Sequence, residues 1–211
     1  MQRHLVIFAK EPRLGAVKTR LARDIGAAAA LRFQEQTLRG LLLRVAANVP
    51  WRCWLALTPD RFARSARRRW RWLPSAVSLV PQGGGGLGER MTRAFAALPP
   101  GPALLIGGDI PAITPTHIAA AFTALGRHDA VFGPAEDGGY WLVGQRRLRP
   151  MPGLFRAVRW SSRHALADTL ANLGPGQTHA LVARLADVDD GEAYRRFTAL
   201  SLPFEWGGEK R

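Results

Sequence analysis

The stretch HLVIFAKEPRLGAVKTR, residues 4–20, decides the fold expected for this chain. Its first six residues, HLVIFA, form a short continuous apolar run, which is typical of a strand buried on both faces of a sheet. The run ends in Lys-Glu-Pro, and the residues that follow have the composition of a loop. The sequence therefore predicts a buried strand that delivers a charged loop to one edge of a sheet.

Strand-like and helix-like segments alternate beyond this opening stretch. We expect strands at 4–9, 54–58, 77–81, 103–109 and 128–134, and helices after Gly26, near 60–70, at 87–98 and after Thr114 or Thr116. Such alternation predicts a mostly parallel sheet with helices on both faces, a doubly wound, Rossmann-like α/β domain. The last third is less regular, with expected strands at 140–144 and 178–182, a helix at 162–173 and a final helix after Asp190.

Length and composition narrow the class of protein. The chain has 211 residues, of which 47% are hydrophobic, so we expect one domain spanning residues 1–211. No apolar run approaches the roughly 20 residues that a membrane span requires, and no signal peptide is recognisable, which favours a cytoplasmic protein. The one cysteine, Cys53, lies in an apolar run and is expected to be a buried, inert thiol.

The formal net charge of +14 makes nucleic acid a partner to consider. The segment RFARSARRRWRW, residues 61–72, has six arginines among its twelve residues and two tryptophans between them. It fits either a strip that stacks bases and binds phosphates or the solvated face of an ordinary helix. The second interpretation is favoured, since nothing else in the chain resembles a nucleic-acid module.

Lysine is rare in this arginine-rich chain, yet two of its three lysines lie in the opening loop. They are Lys10 and Lys18; the third is Lys210. A surface ion pair would accept arginine equally well, so retained lysine favours a compact charge for phosphate oxygens. Arg20 adds a further cation, and Gly15 allows the backbone to approach a ligand. The alternative is a plain solvated loop; a Walker A motif is absent.

Two further strand ends carry unusual segments. In PQGGGGLGER (81–90), a glycine run precedes a helix N-terminus, which favours an anion or a nucleotide over a mobile linker. In GGDIP (107–111), Asp109 follows a buried strand directly, which predicts a magnesium or manganese ligand more than a helix cap. In open α/β sheets, ligands bind beyond the carboxyl ends of the strands.

Acidic residues recur in two later segments. GPAEDGGYWLVG (133–144) places Glu136 and Asp137 beside flexible backbone and aromatic rings, which favours a functional loop. The alternative is that EDGG is simply a tight turn into the next strand. In ADVDDGEAY (186–194), Asp190 fits a helix cap, whereas Asp187 and Asp189 have no such duty.

These segments, in this order, resemble the DUF2064 family of GT-A-like transferases. The matching stretches are FAKEPRLGAVKTRLA (8–22), LGERM (87–91), GGDIP (107–111), GPAEDGGYWLVG (133–144), RWSS (159–162) and DVDD (187–190). The family belongs to the nucleotide-diphospho-sugar transferase superfamily, whose Rossmann-like fold agrees with the alternation above.

The resemblance implies roles for individual residues. Nucleotide and phosphate binding is implied for Lys10, Gly15, Lys18, Arg20, Gly88 and Glu89. Asp109 is implied as a divalent-metal ligand and Asp189 as a second one, with magnesium or manganese as the cofactor. Asp137 is the implied catalytic carboxylate beside the acceptor, aided by Lys18 and Arg20. Members commonly carry Ser or Thr before the metal aspartate and often Cys after it, where this chain has Gly108 and Ile110.

Three functions remain open from the sequence. The leading hypothesis is metal-dependent transfer of a sugar from a nucleotide sugar to a small acceptor. The second is nucleotidylyl transfer with release of pyrophosphate, because the KTRL end of the first loop resembles phospholactate guanylyltransferases. The third is a basic nucleic-acid-binding protein with a vestigial transferase site. The sequence leaves the oligomeric state open. Four tryptophans are candidates for exposed side chains that anchor a partner, namely Trp51, Trp70, Trp72 and Trp206.

Overall fold

Strand β1, Arg3–Lys10, lies inside the sheet of the computed structural model, which describes residues 1–200. Leu5 and Ile7 belong to the core on one face, whereas Val6 belongs to the core on the other. Burial on both faces explains the continuous apolar run, because a strand with one solvated face would alternate with polar residues.

Six further strands and seven helices follow β1 within the described residues. The strands are β2 (Trp51–Thr58), β3 (Ser78–Pro81), β4 (Ala103–Gly107), β5 (Ala130–Pro134), β6 (Tyr140–Gln145) and β7 (His179–Leu181). The helices are α1 (Thr19–Ile25), α2 (Ala27–Val45), α3 (Asp60–Arg69), α4 (Leu87–Ala97), α5 (Pro115–Ala124), α6 (Ala165–Ala171) and α7 (Gly191–Leu200).

All of these strands join one seven-stranded sheet in the order β3-β2-β1-β4-β6-β5-β7. Strand β1 pairs in parallel with β2 over its whole length and with β4 on its other side. Strand β6 is the exception to the parallel pairing, because it runs antiparallel to both of its neighbours, β4 and β5. The carboxyl ends of β1, β2, β3 and β4 therefore open on the same edge of the sheet.

Helices cover both faces of the sheet. On one face, α2, α3 and α5 contribute buried side chains such as Leu41, Phe62 and Phe122. On the other face, α4 contributes Met91 and Phe95, and α6 packs at the margin of that core. Helices α1 and α7 meet at a smaller cluster beside α2.

The structure confirms the predicted α/β class, the mostly parallel sheet and the helices on both faces. It differs locally from the expectations. Helix α1 occupies residues that were expected to continue the opening loop, and the strand expected at 103–109 ends at Gly107. The helix expected at 162–173 is limited to Ala165–Ala171.

Two tryptophans considered as exposed anchors lie in the core. Trp51 is 6% exposed and Trp70 is 8% exposed, so neither presents a free ring to a partner. Trp72 is partly buried against the same core. Trp206 and Lys210 lie outside the described residues. No helix within residues 1–200 is both long and apolar enough to cross a membrane.

We expect the thiol of Cys53 to be unreactive in the folded protein. The residue is 3% exposed, its Sγ lies 3.0 Å from the carbonyl oxygen of Val45, and burial raises the pKa of the thiol to about 12. The thiolate is the form of cysteine that reacts with disulfide reagents. DTNB at pH 8 should therefore not react with Cys53, and should release no thionitrobenzoate, until denaturant unfolds the chain. Full reaction with the native protein within minutes would contradict this packing.

Candidate active site

The opening loop is held in shape by its own backbone and by Lys10. The amide of Ala16 donates to the carbonyl of Arg13 across 3.0 Å, with Gly15 between them at a φ of 72°. The ammonium of Lys10 donates to the carbonyl oxygen of Ala16 at 3.1 Å. Gly15 was expected to let the backbone approach a ligand. In the structure its positive φ closes a turn, and a Cβ there would meet no atom within 4 Å.

Lys18 stands at the end of this loop, as the N-cap of α1, and its side chain turns inward. Its Nζ donates to Oδ1 of Asp189 at 2.6 Å and to Oδ2 of Asp109 at 3.2 Å. The lysine side chain is 4% exposed, whereas the two carboxylates are 42% and 44% exposed. The cation is thus enclosed, and its two partners remain open to an incoming ligand.

The charges of this cluster control one another. Burial alone would lower the pKa of Lys18, but the negative charges of Asp109 and Asp189 outweigh it and hold the pKa above its ordinary value. Burial opposes ionisation of Asp189 as well, yet the nearby Lys18 keeps the pKa of that carboxyl low. For Asp187, burial and then the charge of Asp189 raise the pKa to about 6.

The backbone around Asp109 explains why the preceding residue is glycine. The amide of Gly108 donates to the carbonyl of Phe8 at 2.9 Å, which continues the pairing of β1 and β4 beyond Gly107. A Cβ at Gly108 would lie 3.0 Å from that same carbonyl oxygen and 3.0 Å from a methyl carbon of Leu38. A serine or threonine would need its neighbours to move, so this chain positions Asp109 without a side-chain hydroxyl beside it.

Asp189 is brought to the site by the segment that enters α7. Val188, which is 4% exposed, packs into the cluster between α1 and α2, and the amide of Gly191 donates to Oδ2 of Asp24 at 2.7 Å. Asp190 accepts from the amide of Ala193 at 2.8 Å, as expected for a helix cap.

Two cavities meet at Asp109. The first, of about 330 Å³, is lined by the cations Lys10, Lys18 and Arg20 together with Asp189 and Gln34. Arg20 is exposed. The first cavity thus has three cations and two carboxylates in its lining, and cations of this kind can bind phosphate oxygens.

The second cavity, of about 280 Å³, lies on the other side of Asp109. Its walls include the aromatic side chains of Tyr140 and Trp160, and Asp137 and Asp187 stand among its polar residues. Oδ1 of Asp137 accepts from the amide of Gly139 at 2.9 Å. The turn expected at EDGG is thus present, and the same aspartate also lines a cavity.

Gly88 and Glu89 lie away from the ion cluster and have structural roles. A Cβ at Gly88 would lie 2.7 Å from the carbonyl oxygen of Phe155 and 3.2 Å from the ring of Trp160. Oε2 of Glu89 accepts from the amide of Gly86 at 2.7 Å and caps α4. Neither residue lines the first cavity, and their assignment to the nucleotide stays a prediction from the resemblance.

The glycine run before α4 is anchored at several points. The amide of Gly83 donates to Oδ1 of Asp60 at 3.0 Å, and Arg93 donates to the carbonyls of Gln82 and Gly84. Positive φ angles of 78° at Gly83 and 90° at Gly85 explain the use of glycine. These contacts favour a shaped loop over a linker.

Sequence reasoning missed two buried glutamines. Gln34 is 8% exposed and lines the first cavity. Its position could have been noticed in the sequence, because it is a polar residue on the apolar face of α2. Gln82 is 4% exposed and donates from Nε2 to the carbonyls of Ala9 and Ala56 at 3.1 and 2.9 Å. Gln82 thereby joins the carboxyl ends of β1 and β2, a role that no local pattern indicates.

The aromatic rings of the arginine and tryptophan strip at 61–72 pack largely against the protein, with Trp70 buried and Trp72 partly buried. The ring of Trp70 packs edge-on against Phe62, with 4.9 Å between the centroids, and Trp72 packs against Trp70. Arg69 pairs with Glu11 at 2.8 Å. The five arginines at 61–69 lie exposed on α3 and the two tryptophans follow it, so the strip offers little ring surface for the stacking of bases.

Comparison with known proteins identifies the family of the chain and supports its fold. A family described as "uncharacterized protein conserved in bacteria (DUF2064)" matches residues 41–162. The chain belongs to the DUF2064 family. The matched range includes LGERM, GGDIP, GPAEDGGYWLVG and RWSS, while the opening loop and DVDD lie outside it. No curated protein matches the chain.

Among solved structures, a candidate nucleotide-diphospho-sugar transferase from Desulfovibrio desulfuricans G20 is 27% identical to this DUF2064 chain. It superposes with a TM-score of 0.77 over 90% of this chain and 84% of its own. A 4-diphosphocytidyl-2C-methyl-D-erythritol synthase from Anaerococcus prevotii has a TM-score of 0.64, 11% identity, and coverage of 95% and 96%. Rv0371c from Mycobacterium tuberculosis, in complex with manganese, has a TM-score of 0.52, 16% identity, and coverage of 96% and 100%.

The last two neighbours show the fold alone, because their identity to this chain is low. Together with the family match and the D. desulfuricans protein, they confirm a Rossmann-like, GT-A-like fold. The D. desulfuricans protein supports the prediction that this DUF2064 protein is a transferase enzyme that uses nucleotides.

We expect Gly88→Ala to lower the free energy of unfolding by about 1–3 kcal/mol, because the added methyl group meets the backbone at Phe155. Gly84→Ala is the matched control, since a Cβ there meets no atom within 4 Å and its φ is not positive. Denaturant unfolding of both variants checks the difference. Equal stability of the two would show that the contact at Gly88 is easily relieved.

Proposed function

We propose that this protein is a metal-dependent transferase that moves a sugar from a nucleotide sugar to a small acceptor. The observation that carries the proposal is the position of Asp109, between a cavity lined by cations and a cavity lined by aromatic rings. A charged donor and a neutral acceptor would meet at this residue.

The first cavity suits the diphosphate of the donor. Lys18 and Arg20 line it and can pair with phosphate oxygens, while Lys10 holds the loop that shapes its wall. As the bond to the sugar breaks, negative charge grows on the departing diphosphate, and fixed cations stabilise that charge. Lys18 and Arg20 are therefore the residues to which we assign stabilisation of the leaving group.

The residues around Asp109 fit a divalent cation that arrives with phosphate. The carboxylates of Asp109 and Asp189 converge on one positive centre, the ammonium of Lys18, and offer the oxygen ligands that magnesium and manganese prefer. Within residues 1–200, no three Asp, Glu, His or Cys side chains form a complete metal cage. Two carboxylates completed by substrate phosphates are a usual arrangement for magnesium. When bound, the metal would supply further charge for the leaving group.

The second cavity suits the acceptor. Tyr140 and Trp160 offer ring faces to an apolar or sugar-like body, and Asp137 is the carboxylate that we assign to the acceptor hydroxyl. Its Oδ1 is used by the amide of Gly139, and Oδ2 accepts no hydrogen bond within the described residues. Burial raises the pKa of Tyr140, which stays protonated at neutral pH and is not the base. Asp137 would orient the hydroxyl and take its proton.

Nucleotidylyl transfer is the second candidate. Three cations line the first cavity, which suits a triphosphate as well as a diphosphate. A structural neighbour, the diphosphocytidyl-methylerythritol synthase, is named for chemistry of this kind, although its 11% identity relates it to this chain by fold alone. This reaction would release pyrophosphate in place of a nucleoside diphosphate.

We expect Asp109→Asn to reduce turnover by about 100-fold or more while the protein stays folded. The variant removes one charge from the proposed metal ligands, and Lys18 retains Asp189 as a partner. Turnover is measured as release of nucleoside diphosphate from a panel of nucleotide sugars, and as release of pyrophosphate from nucleoside triphosphates, each with magnesium or manganese. The product that appears decides between the two candidates.

The control for this variant is Asp190→Asn in the DVDD segment. Asn caps a helix about as well as Asp, so the cap at Ala193 should persist and turnover should be unchanged. Full activity of Asp109→Asn with every donor that the wild type accepts would rule out the metal assignment.

A further inference from the structure

Lys18 combines a strained backbone with an enclosed charge. Its φ and ψ are 47° and 47°, the left-handed region that residues other than glycine, asparagine and aspartate seldom occupy. Such strain persists only where the surroundings impose it. Here the strained residue directs a 4% exposed side chain toward two carboxylates that are far more open.

The ammonium occupies the place that a shared metal ion would take. Nζ lies within 3.2 Å of an oxygen of Asp109 and 2.6 Å of an oxygen of Asp189. A divalent cation held by both carboxylates would lie close to this ammonium even if it used their other oxygens, and the two positive charges would repel each other. The ammonium therefore competes with a metal for the negative charge of the pair, and metal binding should be stronger when the ammonium moves away.

We infer that Lys18 is a resident counter-ion that keeps free divalent cations off Asp109 and Asp189, and that it yields the pair only to a metal arriving with a phosphate chain. This inference rests on the proposed function, and it names the ligand as the metal–phosphate complex. The metal alone is a poor ligand for this site.

The first cavity offers the displaced ammonium of Lys18 a new partner. Lys18 is itself part of the wall of that cavity, so a phosphate bound there lies within its reach. A phosphate oxygen can replace the two carboxylates as its partner, and the metal then replaces the ammonium between them. Because each ligand removes the obstacle to the other, metal and phosphate should bind with positive, reciprocal coupling.

The test begins with manganese alone, titrated against the protein and followed by the loss of the free-ion signal in electron paramagnetic resonance. Wild type should bind weakly. Lys18→Met should bind at least about tenfold more tightly, which corresponds to about 1.4 kcal/mol, because the carboxylates have lost their resident cation. Lys18→Gly is the second variant; it also removes the charge and suits the left-handed backbone, so it keeps the test usable if the methionine variant fails to fold.

Arg20→Met is the matched control. Arg20 lines the same cavity, carries the same charge and lowers the pKa of Asp189 through space, but no ion pair joins it to that residue within residues 1–200. We expect its affinity for manganese to change by less than a few-fold. Arg20→Met could instead tighten manganese binding as much as Lys18→Met. The loss of any nearby positive charge would then explain both effects, and the inference would fail.

Inorganic pyrophosphate, which needs no choice of base, tests the coupling through the melting temperature. In wild type, manganese and pyrophosphate together should raise the melting temperature more than the sum of their separate effects. In Lys18→Met, manganese alone should raise it, and pyrophosphate should add little.

The outcomes separate the inference from the proposed function. Equal manganese affinity in wild type and Lys18→Met would overturn the counter-ion role and leave the metal site intact. Failure of every variant to bind manganese, with or without pyrophosphate, would overturn the metal site itself and the inference with it.

Discussion

The parallel pairing of β1 with a strand on each side is the constraint on which the rest of the molecule depends. Because β1 is registered with β2 from Arg3 to Lys10 and with β4 from His4 to Phe8, their carboxyl ends open at one edge. The loop after β1 and the aspartate after β4 are then neighbours by geometry. The polar site is possible because two apolar cores hold the strands below it in register.

Charge at this edge is balanced locally in a chain whose formal net charge is +14. Two carboxylates face one buried ammonium, and the additional cations of the first cavity lie beyond them. The second cavity has no lysine or arginine among its lining residues. Lysine and arginine thus line one of the two cavities that meet at Asp109, whereas aromatic rings and carboxylates line the other, and this difference supports the proposed pairing of a polyanionic donor with a neutral acceptor.

The fold could be predicted from the sequence because its main signals are local. Apolar runs that end in glycine or acidic residues indicated the strands and the edge at which ligands bind. The insertion of β6 between β4 and β5 could not be predicted in this way, because strand order depends on pairing between distant segments. Helix α1, only seven residues long, was missed because TRLARDI continues a charged loop without a side-chain cap.

The candidate site was predicted in its parts and not in its assembly. Lys18 and Asp109 were assigned from residue type and position, and Asp189 from the family resemblance, yet their direct contact joins residues 91 and 171 positions apart. A contact between residues so far apart cannot be predicted from the spacing of residues in the sequence. The packing of Gly88 and the helix cap at Glu89 could not be predicted for a related reason, since such residues look the same in sequence as ligand-binding ones.

The distance along the chain between Lys18 and Asp189 has a consequence for biosynthesis. A ribosome makes the basic loop early and Asp109 near the middle, but Asp189 emerges only after the strands of the sheet have been made. Until then, only Asp109 of the two ion-pair partners of Lys18 has been made. The cluster can therefore be completed only late in synthesis, and a fragment that ends before residue 187 contains the residues of all seven strands but lacks Asp189.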